Sequence, residues 1–282
     1  MSDPDALRAF GHSVDFGRTA YDYSTHRAGF PPEFFAALAA RGCLKPGQTA
    51  IDLGTGTGTI ARGLAQAGLL VTALDIAPDL LTAAAALDAD AGAQVAYKTA
   101  SAEATGLPDT CADLLTAGQC WHWFDRAQAA DEAHRLLRPG GRIVIAHFDW
   151  LPQPGSLVAA TEALILRYNP DWAGAGGSGL YPEWLTDLAN AGFTDIETAS
   201  FDISHPYSHA AWRGRIRASA GVAASLSPEA VTEFDAELAA MMECFFKDDP
   251  ALIPHRIWWV TALKGRAYGK TPPQDSSAPT QK

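Results

Sequence analysis

Hydrophobic and polar positions alternate in blocks from Gln48 onward. QTAIDL (48–53) is a short apolar run, followed by a glycine-rich turn and the amphipathic stretch TIARGLAQAG (59–68). LVTALD (70–75) reads as the next strand, PDLLTAAAALDAD (78–90) as a helix opened by proline, and VAYKT (95–99) as a third strand. DLLTAGQ (113–119), the helical DRAQAADEAHRLL (125–137), a PGG turn (139–141) and the strand RIVIAHF (142–148) complete the series. Short apolar runs separated by helix-period stretches predict a parallel sheet covered on both faces. The expected fold is α/β, a doubly wound Rossmann-like core over residues 45–150.

Outside that core the rhythm changes. Residues 1–44 are assigned to an N-terminal helical cap or lid. They end in PPEFFAALAARG (31–42), which has proline in the first turn and glycine as terminator. Residues 151–268 complete the sheet. PEWLTDLANAG (182–192) is predicted helical, TDIETASFDI (194–203) a strand, and HRIWWVTALKG (255–265) the last strand. A helical insert over about 203–250 is expected to cap a substrate, with Ser227-Pro228-Glu229 as a helix start. The Pro/Ser-rich tail 269–282 is expected to be disordered.

The chain has 282 residues and a formal net charge of −11, with no long basic run. That balance speaks against a partner held through phosphate contacts, so no nucleic acid is expected. No apolar stretch approaches the ~20 residues of a membrane span. The N-terminus lacks the basic and apolar regions of a secretory signal, and the four cysteines are scattered without a CxxC pair. A cytoplasmic protein without a metal site is expected.

The strongest chemical signal is Ile51-Asp52-Leu53-Gly54-Thr55-Gly56-Thr57-Gly58, between a strand and a helix. Glycines there let backbone approach a ligand closely. A second acid, Asp75, closes the next strand, about 20 residues on, where a carboxylate accepts from ribose hydroxyls. Dinucleotide enzymes carry G-x-G-x-x-G at this place. Here the spacing is G-x-G-x-G, and Asp52 would repel a pyrophosphate. A cationic nucleoside without phosphates, such as S-adenosylmethionine, satisfies both acids.

These motifs resemble those of class I S-adenosylmethionine-dependent methyltransferases, in the branch of the trans-aconitate and ubiquinone/menaquinone enzymes. The resemblance implies a seven-stranded sheet of order 3-2-1-4-5-7-6. It also implies that Asp52, Gly54, Thr55, Gly56 and Gly58 form the cofactor loop, that Asp75 holds the ribose and that Ile76 lies beside the adenine. Ser101-Ala102-Glu103 with Leu107-Pro108 is similar to the adenine-edge segment, and Gln119, Trp121 and their neighbours to the segment beside the methyl group. Leu137–Gly141 is similar to the R-P-G-G turn. Tyr23 and Arg27 fall in a lead-in that closes over the cofactor's carboxylate.

In-line methyl transfer needs alignment above all, and a base only when the nucleophile arrives protonated. His122 is the base candidate and His147 a weaker one, with a packing or structural role as the alternative for each. Trp123 is a candidate for an aromatic wall. Arg213 and Arg217, one helical turn apart, are candidates for holding an acidic acceptor, against the plain alternative of a solvated helix face. The expected function is methyl transfer to O or N of a metabolite-sized acceptor. The competing readings are a non-catalytic binder of the cofactor, a nicotinamide oxidoreductase, and an enzyme using the cofactor for other chemistry.

Overall fold

The computed structural model describes residues 29–265. Four parallel strands come first: β1 (Thr49–Leu53), β2 (Leu70–Asp75), β3 (Val95–Thr99) and β4 (Ala112–Gly118). The longer β5 (Leu137–Trp150) continues them in parallel, whereas β6 (Phe193–Tyr207) and β7 (Ala251–Lys264) join antiparallel. The sheet order is β3-β2-β1-β4-β5-β7-β6, as the resemblance implied.

Alternate residues of the strands face opposite layers. One face carries Ile51, Leu115, Ile143, Ile145, Trp258 and Val260. They pack against α4 (Arg126–Leu136), whose alanines allow close approach, and α6 (Glu183–Asn190), which buries Trp184. The other face carries Ala50, Leu114, Val144, Ala146 and Trp259 under α1 (Pro32–Ala40) and α2 (Thr59–Gln66). Phe34 and Leu38 of α1 are fully buried there, so this helix belongs to the core layer. Helix α3 (Pro78–Ala91) flanks β2 and β3.

A third apolar cluster joins α5 (Leu157–Tyr168), α7 (His209–Arg217) and α8 (Pro228–Phe245). It builds on Tyr207, Ala251 and Ile253, where β6 and β7 overrun the short parallel strands. Ser156, Ser208 and Ser227 each accept a hydrogen bond from a backbone N–H three residues on. Each thereby satisfies one of the orphan donors at its helix start, worth about 1 kcal/mol. Helix α5 lies in a stretch that the sequence pattern left undivided, because its Ser-capped start follows a proline-rich approach. The RPGG segment also differs from expectation. Leu137 already pairs with Ala112 and Arg142 pairs with Leu114, so the expected turn is an irregularity inside β5. Gly140 takes a left-handed φ of 82° there. No helix among the described residues is long and apolar enough to cross a membrane.

Candidate functional site

The C-terminal ends of the parallel strands carry the site, as open α/β sheets lead one to expect. After β1 the chain turns through Gly54, Gly56 and Gly58, all with positive φ (59°, 55° and 77°). A Cβ at Gly54 would meet Phe124 Cζ at 2.8 Å and Cys120 Sγ at 2.9 Å, and one at Gly58 the Tyr97 hydroxyl at 2.6 Å. At Gly56 nothing lies within 4 Å, so that backbone faces open space. Thr55 is buried and its N–H donates to the Leu74 carbonyl, which ties the loop to β2.

Asp75 organises the open side. Its Oδ2 accepts from Gly56 N–H (2.8 Å) and its Oδ1 from Ala77 N–H (3.0 Å). Each oxygen retains a lone pair for a ligand hydroxyl. Ile76, 65% exposed, lies beside it as an apolar platform. Asp52 lies beneath the loop, wholly buried, with Oδ1 accepting from Thr116 Oγ1 at 2.6 Å. Burial raises its pKa to about 6 despite the hydrogen bonds from Thr116 and Thr55. Beyond β3, Ser101 is half-buried and Ala102 buried, and Glu103 accepts from Asp125 N–H at 3.0 Å.

A support that sequence reasoning missed stands behind the loop. Arg62 Nη2 donates to Thr57 O at 2.9 Å, and its Nε pairs with buried Asp88 at 2.7 Å. Tyr97 donates to the other Asp88 oxygen at 2.6 Å. The only available signal was an Arg and an Asp on successive predicted helices, which resembles ordinary surface charge.

The ends of β4 and β5 are built differently. Gln119 follows β4 with a positive φ of 59°, its N–H bound to Ala146 O, and a 3₁₀ turn spans Trp121–Trp123. His122 is half-buried, with its ring 4.8 Å from that of Trp123 and 5.4 Å from that of His147. His147 Nδ1 lies 2.7 Å from Asp149 Oδ1, and the Tyr181 hydroxyl donates to Asp149 Oδ2 at 2.6 Å. Burial alone would raise the Asp149 pKa. Coulombic attraction to the His147 ring, with hydrogen bonds from His147 and Tyr181, reverses this and holds it below the usual carboxylate range. Burial and that carboxylate push the Tyr181 phenol upward, so it remains a donor. Tyr181 stacks on Trp184 with centroids 4.2 Å apart. Its place in the site was not foreseen, because it precedes α6 by sequence and joins β5 only in space.

The sequence expectations therefore divide. The structure brings together Asp52, Gly54, Thr55, Gly56, Gly58, Asp75 and Ile76 on one side, and Gln119, His122, Trp123 and His147 on the other. Tyr23 and Arg27 lie outside the described residues. Trp121 corrects its expected place against the cofactor. Its side chain is fully buried and donates to Asp187 at 3.1 Å, so it anchors α6 to the sheet. Arg213 and Arg217 also depart from the role of acceptor ligands, since both bind the one carboxylate of Asp235 and lock α7 to α8. Among the described residues no group of three His, Cys, Asp or Glu could hold a metal ion.

Residues 51–145 match the family described as "Methyltransferase domain". Over those residues the chain is similar to the class I, S-adenosylmethionine-dependent methyltransferases. An uncharacterized methyltransferase of Mycobacterium tuberculosis is 33% identical over 155 residues, 52% of this chain and 59% of that protein. The match thus spans well under two thirds of that relative's length. A ubiquinone biosynthesis O-methyltransferase of Xanthomonas axonopodis is 29% identical over 61% of this chain and 71% of its own. Among solved structures, a phosphoethanolamine N-methyltransferase of Haemonchus contortus, bound to S-adenosyl-L-methionine, shares the fold. Its TM-score is 0.54 at 21% identity, over 94% of this chain and 60% of that one. The matched residues run from β1 into β5 and so include both the glycine loop and the 3₁₀ turn after β4.

Proposed function

We propose that this methyltransferase binds S-adenosylmethionine at the ends of β1 and β2 and transfers its methyl group to an O or N atom of a small metabolite. The carrying observation is the Asp75 carboxylate, fixed by Gly56 and Ala77 N–H with lone pairs to spare beside an open glycine backbone. Asp75 would accept from the ribose hydroxyls and Ile76 would cover the adenine. Asp52 stabilises the cationic amino-acid end from below the loop. Ser101, Ala102 and Glu103 border the adenine edge, and Gln119 the reacting end. The donor supplies an activated methyl group on a sulfonium, so the protein's main task is alignment. His122 and Trp123, at the mouth between the two halves, orient the acceptor.

Calorimetric titration with adenosylmethionine, adenosylhomocysteine and NADH is the direct test, repeated on Asp75→Ala. The expected result is micromolar binding of both adenosyl ligands, weakened at least about 100-fold in the mutant, as loss of charge-assisted hydrogen bonds entails. Binding of NADH in their place, or adenosyl binding indifferent to Asp75→Ala, would overturn the reading.

A further inference from the structure

The geometry points to His147 as the proton acceptor of the transfer, held for that task by Asp149 and Tyr181, and to an acceptor that presents a neutral hydroxyl. This rests on the methyltransferase reading above and adds to it the base and the chemical class of the nucleophile.

His147 is 7% exposed, yet among the described residues its Nε2 has no hydrogen-bond partner. A buried polar atom left unmatched costs about 1–3 kcal/mol, and a fold tolerates this where a ligand supplies the missing partner. The opposite nitrogen is fully engaged. Nδ1 faces Asp149 Oδ1 at 2.7 Å, and the Tyr181 oxygen lies 3.2 Å from it. Asp149 stays anionic, so it takes the Nδ1–H proton as a hydrogen bond and leaves the lone pair on Nε2. A carboxylate on Nδ1–H fixes the tautomer and stabilises the imidazolium that forms when Nε2 takes up a proton. Tyr181 occupies the second Asp149 oxygen and is itself pinned against Trp184, so the carboxylate cannot rotate away. Asp149 and Tyr181 are therefore positioning residues.

The charge balance fits a neutral hydroxyl acceptor. Before transfer the pocket holds the Asp149 anion, neutral His147, the donor's sulfonium and the acceptor hydroxyl. The hydroxyl oxygen forms the O–CH₃ bond, the CH₃–S bond breaks with its electron pair left on sulfur, and the O–H proton passes to His147 Nε2. The sulfonium charge vanishes as the imidazolium charge appears, and the pocket's total is unchanged. A carboxylate acceptor has no proton to give and would sit against the buried Asp149 anion. The surrounding ionisable groups leave this balance intact. His122 faces His147 from the 3₁₀ turn, and Glu183 and Asp187 stand on α6. Arg256 of β7, in register with Asp149, is neutralised by Asp202 of β6.

The test uses the full chain with methyl-labelled adenosylmethionine and four matched probes: phenol, benzyl alcohol, benzylamine and benzoate. We expect label on phenol or benzyl alcohol, with kcat/KM rising with pH as one imidazole loses its proton. His147→Gln should lower kcat about 100-fold or more with KM little changed, the span of general base catalysis, and should abolish that pH limb. Asp149→Asn should lower kcat and move the limb, and Tyr181→Phe should do so more weakly. Label on benzylamine or benzoate alone, no label on either hydroxyl, or a His147→Gln enzyme with an unaltered pH profile each overturns the inference. Adenosylhomocysteine binding, measured on each protein, separates the two levels. Its absence in the wild-type chain defeats the methyltransferase reading, whereas intact binding with a failed hydroxyl test defeats only this one.

Discussion

The two halves of the sheet solve the problem of holding a small molecule with different materials. Around β1 and β2 the surface is backbone: three glycines at positive φ and two N–H groups that fix Asp75. Around β4 and β5 it is side chain, with two imidazoles, a phenol, a carboxylate and indoles packed ring against ring. A backbone cradle accommodates one ligand and tolerates little change, since any side chain would fill it. An aromatic and titratable wall is set residue by residue and can be altered without rebuilding the turn. One class of methyl donor can thus be shared among many acceptors.

Four predictions bear on that contrast, from the largest effect down. Gly54→Val adds atoms where Phe124 and Cys120 already lie within 3 Å and demands a φ that valine avoids. Adenosylhomocysteine binding should vanish by calorimetry, and a near-normal affinity would show the loop to be less rigid than described. Asp88→Ala removes one partner of the buried pair behind the loop and should cost about 3–5 kcal/mol in urea unfolding. A loss below 1 kcal/mol would mean that the cradle stands without its support.

The third prediction sets one buried group from each half against the other. Asp52 has its pKa raised to about 6, so the folded state binds its proton more tightly than the unfolded chain does. Its contribution is present in full below about pH 4 and is lost as pH rises through 6. Asp52→Asn should therefore stabilise the ligand-free protein at pH 7, by up to about 3 kcal/mol, while weakening adenosyl binding. His255, beside Phe148 and Tyr207, has its pKa lowered to about 4 by burial. Its folded form is favoured above about pH 6.5 and loses that advantage as pH falls toward 4. His255→Gln should flatten the acid side of the stability profile by a similar amount. The same slope in both variants would show that these groups do not govern it. Last, Arg213→Ala should cost under about 1 kcal/mol, because Arg217 still holds Asp235, and should leave acceptor KM unchanged. A large rise in KM would restore Arg213 as an acceptor ligand.

Legibility in the sequence followed the same divide. The glycine loop and Asp75 lie within 25 residues of one another on consecutive elements, so local pattern sufficed to find them. Strand order followed from the resemblance, and the capped helix start at Ser227 was visible as a single residue. The proposed acceptor side draws on positions 122, 147, 149 and 181, which only the packing of β5 against the 3₁₀ turn and the approach to α6 unites. His147 read as no more than the weaker of two base candidates for that reason, and Tyr181 carried no signal beyond its place before a proline. Trp121 misled in the opposite sense. Its neighbours line the site, but the 3₁₀ turn rotates its own ring into the core.

The position of β7 has a consequence for how the protein is made. This strand lies between β5 and β6, yet all of β6 and the α7–α8 cap leave the ribosome before it. Until residues 251–264 emerge, β5 presents an open edge, and β6, unable to pair with it, has no neighbour. The nascent chain thus passes through a stage with two unpaired strands and an unsupported cap, the kind of species that associates with others like it. The last strand acts as a zipper, joining β6 and the helices packed on it to the edge of β5 only after both have been synthesised.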